Sequence, residues 1–392
     1  MDKRLASLAV LSLVAASASA CGGDDSGGSS SSGGAAGAAG AAGSGGVLNG
    51  PPAEGPITEL PQGWNEIAPG GSTTCARGDK YRFWVRPGKV NRVVVEFRGG
   101  GACWNAVTCF AEANLFEETA SPEPWVSDDS KAVGIYDHSR DDNPFKDWHH
   151  VYVSYCTGDV HWGDAKQVYG AGTALESTVE HRGAVNAQAA LDWVYTKVPN
   201  PDKAFVTGCS AGGYGAVYWT GHVRDHYTGA KVYHFSDSSA GIITDDFFQQ
   251  SFPAWNAKAN FPKLDGVDPT TFKTLPELYI GIGKTFPEMF SSQFNTAFDA
   301  TQTKYFVAMG GKDANEWSQK MQGNLDQIKA GSSAFRSYLA PGYDHCVIDK
   351  DTFYSVEVGG TKLVDWLGDA LADKPVAEVT CKSSDCGSPK PQ

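Results

Sequence analysis

Beyond residue 20 the sequence has no apolar run long enough to cross a membrane as a helix. It has no C-x-x-C and no H-E-x-x-H, so the usual zinc spacings are missing. The three glycines Gly99, Gly100 and Gly101 are not followed by G-K-S/T, which excludes a phosphate-cradling loop of the P-loop kind. Positive charge is in short supply. Lys and Arg total 32 against 45 Asp and Glu, and the net charge of −13 argues against nucleic acid or an anionic membrane surface as a partner. No internal repeat is visible.

What is present begins with an export signal. Lys3 and Arg4 precede an apolar stretch that ends at Ala18-Ser19-Ala20, the pattern of a cleaved secretory peptide over residues 1–20. Cys21 follows at the position where bacterial lipoproteins accept a lipid, although the residue three before it is Ala18 rather than Leu. The alternative is plain cleavage that leaves a free thiol. Residues 21–55 are nearly all Gly, Ser and Ala and have almost nothing to bury, so a flexible tether is expected. The expected location is outside the cell, secreted or held at the surface as an outer-membrane lipoprotein, with membrane contact only through that lipid. Residues 56–392 then form a single α/β domain. Besides Cys21 there are eight cysteines, an even set that in an exported chain reads as disulfides; Cys103 with Cys109 and Cys381 with Cys386 are candidate local pairs, and the connectivity is not readable from sequence.

Along this domain, β-branched and aromatic runs alternate with helical spacing. "RVVVEF" (92–97), "HVYVSYC" (150–156), "AFVTG" (204–208), "KVYHF" (231–235) and "KYFVAMG" (304–310) read as strands. "STVEHRGAVNAQAALDWVYTKV" (177–198), "GGYGAVYWTGHVRDHY" (212–227) and "TKLVDWLGDAL" (361–371) read as helices. This order predicts a mostly parallel sheet covered on both faces, with function at the carboxyl ends of the strands. Residues 241–300 lack clean periodicity and are expected to include a cap over the site or irregular packing.

"VTGCSAGGYGA" (206–216) places Ser210 between a strand and a helix, flanked by the small residues Gly208, Ala211, Gly212 and Gly213. That is the context of a nucleophile elbow; the competing reading is a glycine-rich junction with a capping serine. A serine nucleophile needs a base and a group to orient it. Of the later histidines, His222 and His226 lie on the helix leaving Ser210, His234 sits inside an apolar strand, and His345 in "GYDHCV" precedes the last helix, so His345 is the candidate base. Asp313, after the expected strand 304–310, is the candidate orienting acid. Asp237 is its rival, and Asp344 is too close to His345 in sequence to turn toward it. The amides of Gly100, Gly101 and Ala211 are candidate oxyanion donors. Trp162 and Tyr214 are either pocket or core aromatics.

Together "EFRGGGACWN", "VSYCTGDVHWGD", "VTGCSAGGYGA" with "DSSAG", and "GYDHCV" resemble the pectin acetylesterase/Notum family of serine carboxylesterases over roughly residues 60–370. The resemblance implies an α/β-hydrolase-like fold, no metal or other cofactor, and the catalytic set Ser210, Asp313 and His345. It implies an acetylated polysaccharide as the ester substrate. A lipid or polyester esterase preferring longer acyl groups is the alternative, and a non-catalytic binding protein on a hydrolase fold is the reading from another class. Where Notum carries a Trp after its paired glycines this chain has Gly101 and Ala102, so long-chain acyl specificity does not carry over.

Overall fold

Val93, Val95 and Phe97 of β3 (Arg92–Phe97) face one hydrophobic layer with Leu191, Val194 and Trp219, while Val94 faces the other with Trp148 and Phe205. A strand buried on both faces reads as a continuous apolar run, which is why "RVVVEF" lacks alternation. The computed structural model describes residues 57–382 and 384–390; the expected signal, the tether and Cys21 lie outside them.

The nine-stranded sheet runs in the order β1, β2, β4, β3, β7, β8, β9, β10, β13. Its members besides β3 are β1 (Asn65–Ile67), β2 (Phe83–Arg86), β4 (His149–Val153), β7 (Lys203–Cys209), β8 (Lys231–Asp237), β9 (Phe290–Thr296), β10 (Phe335–Ala340) and β13 (Val379–Thr380). From β4 to β13 every neighbour is parallel; β1 and β2 extend the sheet in antiparallel register. Two hairpins stand apart, β5 (Ala165–Tyr169) with β6 (Ser177–His181), and β11 (Glu357–Val358) with β12 (Thr361–Lys362). The longer helices are α1 (Gly183–Lys197), α2 (Ala211–His226), α3 (Asp245–Trp255), α4 (Leu275–Thr285), α5 (Ala300–Ala308), α6 (Ala314–Gly331) and α7 (Leu363–Leu371). No described helix is long and apolar enough to cross a membrane.

Three local expectations need correcting. Residues 177–181 pair with 165–169 as a hairpin, and the helix starts only at Gly183. The run 304–310 is no strand: most of it belongs to α5, started by the Asp299 side chain, which accepts from the Thr301 and Gln302 amides and satisfies two orphan donors of the first turn. The strand of this region is β9, "FSSQFNT", which lies inside the stretch that showed no periodicity. Its two serines are buried yet bonded across the sheet, Ser292 Oγ donating to His234 O at 2.9 Å and Ser291 Oγ meeting His234 Nδ1 at 3.0 Å. All eight described cysteines are paired: Cys75–Cys156, Cys103–Cys109, Cys209–Cys346 and Cys381–Cys386.

Candidate active site

Ser210 stands between the end of β7 and the start of α2, with φ +56° and ψ −123°. A non-glycine residue rarely adopts this backbone, and it persists only where surrounding structure enforces it. The enforcement is visible. Ser210 N donates to Asp237 O at 2.9 Å, and Gly212 brings α2 so close to β3 that a Cβ there would meet Phe97 O at 1.8 Å. Only glycine permits that approach. The turn presents Ser210 to a cavity and opens the helix at Ala211, whose first-turn amide has no partner within the helix.

His345 lines the same cavity, on the loop after β10. Its Nδ1 donates to Asp299, at 2.8 Å to Oδ2 and 3.0 Å to Oδ1. The Asp299 side chain is 0% exposed and that of His345 19%. Asp299 also accepts from Gln302 Nε2 at 3.0 Å, and Gln302 is in turn held by Asn295 and the Ala240 amide. Capping α5 and orienting His345 are thus done by one carboxylate, placed where the amide end of a helix favours negative charge. Burial lowers the His345 pKa, but the charge and hydrogen bond of Asp299 outweigh it, with Asp237 and Asp349 adding, and the net result is above the ordinary histidine value.

Asp313 is not at this station. It is the N-cap of α6, its carboxylate accepts from Glu316 N at 2.9 Å, and its side chain is 41% exposed beside Lys312. The misplacement follows from the strand assignment: once β9 rather than 304–310 is the strand, the acid just past the strand end is Asp299. Nor does Asp237 touch the imidazole. Its Oδ2 accepts from Val347 N at 2.6 Å and Ile348 N at 2.9 Å, while Ser238 Oγ accepts from Cys346 N at 2.9 Å. Burial pushes the Asp237 carboxyl up to about 7 despite these bonds. Asp237 therefore grips both partners, Ser210 through its backbone carbonyl and the His345 loop through its carboxylate. His234, as expected, is a satisfied core residue between Ser236 and Ser291.

The glycine loop after β3 packs against the elbow. Gly101 has φ +76°, and a Cβ on it would meet Leu115 O at 2.0 Å. Glu117 N donates to Gly100 O at 2.8 Å and Tyr155 hydroxyl donates to Gly101 O at 2.9 Å. Because carbonyl and amide point oppositely across a trans peptide, fixing the Gly100 carbonyl also fixes the Gly101 amide. Gly101, Ser210 and Ala211 all line the cavity. Its walls are otherwise mostly apolar: Ala102, Trp104, Val160, Trp162, Tyr214, Ile242, Phe247, Phe248, Phe252, Trp255, Met309 and Trp317. The four aromatics from Phe247 to Trp255 belong to α3, so part of 241–300 does form a wall of this cavity. The centre of a water molecule has about 70 Å³ to move in there, several times what one water needs.

The sequence model of the pectinacetylesterase family matches residues 68–341. The chain belongs to the pectinacetylesterase family. Curated members with local similarity are pectin acetylesterase 5 of Arabidopsis thaliana, 28% identical over 142 residues (34% of this chain, 30% of that one), and pectin acetylesterase 4 of the same plant, 26% over 145 residues (35% and 32%). The chain thus spans about a third of the length of the curated relatives it matches. Among solved structures, the Wnt deacylase Notum from Drosophila shares the fold. One crystal form gives a TM-score of 0.61 at 18% identity, covering 80% of this chain and 96% of that one; a second gives 0.58 at 18%, covering 78% and 92%.

Among the described residues of this pectinacetylesterase-family chain, two groupings have metal-like spacing, Cys103/Cys109/His181 and Cys209/His345/Cys346. In each the two sulfurs are joined in a disulfide, so neither offers the thiolate a metal would need.

Proposed function

We propose that the chain is an exported serine carboxylesterase whose catalytic set is Ser210, His345 and Asp299. Ser210 Oγ attacks the ester carbonyl carbon while His345 Nε2 takes its proton. The tetrahedral oxyanion lies against the Gly101 and Ala211 amides, with Gly100 supplying the neighbouring peptide. Collapse expels the alcohol, which leaves with the proton from His345, and a water then repeats the sequence to release the acid. Asp299 fixes the imidazole tautomer and stabilises the imidazolium. The observation that carries this reading is the 2.8 Å contact from His345 Nδ1 to a fully buried Asp299, at the same cavity as Ser210.

On the alcohol side the family name favours an acetylated polysaccharide. On the acyl side one observation favours the second reading, a longer or aromatic acyl group: an acetyl methyl would leave most of the apolar cavity unfilled, whereas each further buried CH2 contributes about 0.8 kcal/mol. Anchoring through Cys21 and release into the medium are both compatible with an ester substrate outside the cell. The test is hydrolysis of p-nitrophenyl acetate, butyrate and octanoate by the purified protein beside Ser210→Ala. Turnover that vanishes in the variant supports the esterase, and the acyl profile separates the two readings. Equal, negligible rates in both proteins would turn attention to the non-catalytic binding protein.

A further inference from the structure

The loop between β4 and β5 contains a backbone anomaly next to the cavity. Val160 has φ +51° and His161 φ +68°, two consecutive non-glycine residues in the left-handed region. For a β-branched residue this is a true outlier, because Cβ crowds the adjacent carbonyl. The loop has glycines close by, Gly158 and Gly163, and a glycine at 160 would adopt the same turn without strain. The fold tolerates valine because the loop is over-determined. Val160 N donates to the Tyr155 hydroxyl at 2.9 Å, and His161 N to Asp159 Oδ1 at 3.2 Å. His161 Nε2 donates to Arg98 O at 2.8 Å, and Trp219 Nε1 to His161 O at 2.9 Å. Asp159 is itself held by Thr157 Oγ1 and the Gly183 amide.

Backbone bonding does not need the isopropyl group; it needs only the turn. What the group does is close one wall of the cavity that Ser210 and Ala211 line, where Val160 is only 9% exposed. The Tyr155 hydroxyl that accepts from Val160 N also donates to Gly101 O. One hydroxyl therefore keeps the wall in register with the loop proposed to hold the oxyanion. An acyl group attached at Ser210, with its oxygen on those amides, meets Val160 at a set position.

From this geometry we infer that Val160 is a specificity-determining residue, limiting the length and girth of the acyl group that the cavity accepts. The inference rests on the esterase reading above. Strained residues held in place by their surroundings cluster at active sites and ligand clamps.

The experiment compares wild type, Val160→Gly and Val160→Phe on p-nitrophenyl acetate and octanoate, reading the ratio of kcat/KM values, with thermal melting to verify folding. Opening the wall should move the ratio about tenfold toward octanoate and filling it should move it toward acetate, the scale on which apolar pockets discriminate chain length. Ratios equal to wild type in both folded variants overturn the inference. A second readout does not depend on turnover: binding of octanamide, a neutral acyl analogue, to Ser210→Ala with and without Val160→Gly. Tighter binding in the glycine form supports the inference; equal affinity, or no binding by either protein, overturns it. Failure of the esterase reading looks different, as absence of any Ser210-dependent turnover in wild type.

Discussion

Cys209 and Cys346, the residues directly before Ser210 and directly after His345, are joined by a disulfide across a sequence separation of 137 residues. It ties the end of β7 covalently to the His345 loop, beside the polar ties that run through Asp237 and Ser238. A bond closing so long a loop stabilises the fold by about 2–4 kcal/mol, but its placement implies more than stability. Ångström-scale misplacement of reacting groups costs up to about a hundredfold in rate. Cys209→Ala with Cys346→Ala is therefore expected to lower kcat by about tenfold or more, with KM little changed. Steady-state kinetics on a short ester, below the melting temperature of the variant, check this. A double variant with wild-type kcat would show that the bond serves stability alone.

Asp299 and Asp313 make a paired test. Asp299→Asn keeps the helix cap in part but offers the imidazole an amide and no charge, and about a 10³–10⁴-fold loss in kcat is expected, as for other orienting carboxylates. Asp313→Asn, at an exposed cap, should change kcat less than twofold, with a stability change of about 0.5 kcal/mol or less. Reversed effects in the same assay would return the acid role to Asp313.

The site was legible in the sequence where local chemistry is stereotyped and hidden where burial overrides composition. Ser210 could be read because glycines and small residues around an elbow leave a local signature. His345 followed from its place between a strand and the last helix. Asp299 was hidden by two neighbours that look like their opposites. "FSSQFNT" reads as too polar for a central strand, because the partners of its side chains, His234 for Ser291 and Ser292, Gln302 for Asn295 and the Asp344 carbonyl for Thr296, lie in other segments. "KYFVAMG" has strand-like residues but is helical, since the Asp299 cap and the burial of Phe306 favour the helix. The hairpin 165–181 is obscured for a related reason: only Arg182 separates "STVEH" from α1, and Gly183, which reads as a break, instead opens the helix. The parallel sheet itself was plain, because double burial leaves continuous apolar runs such as 92–97.

The pH profile should carry the imprint of Asp299. His345 must be neutral to accept the Ser210 proton, so kcat/KM rises as pH climbs through the His345 pKa. Because that pKa is raised above the ordinary value of 6.5, the acidic limb should have its midpoint above 6.5. Asp299→Ala removes the main raising influence while burial remains, and the midpoint of whatever activity is left should move down. A wild-type limb centred well below 6.5 would contradict the ion pair that the geometry describes.

Asp237 offers a last test, of stability rather than chemistry. Asp237→Ala leaves the Val347 and Ile348 amides buried without an acceptor, at about 1–3 kcal/mol each, and frees the His345 loop. Asp237→Asn keeps a carbonyl oxygen for the two amides, and its NH2 can donate to Ser238 Oγ, so the loss should be about 1 kcal/mol or less. The sign of the pH dependence separates this from simple packing. The buried wild-type carboxyl titrates at about 7 against 3.8 for an exposed one, so ionising it in the folded state costs stability. That contribution is complete below about 4 and is lost as pH rises through 7. Asparagine has no proton to lose there. Chemical denaturation at pH 4.5 and 7.5 should therefore show wild type losing more stability than Asp237→Asn across the interval. Parallel losses would mean that the Asp237 carboxyl is ionised throughout, held by its two amide donors more firmly than burial opposes.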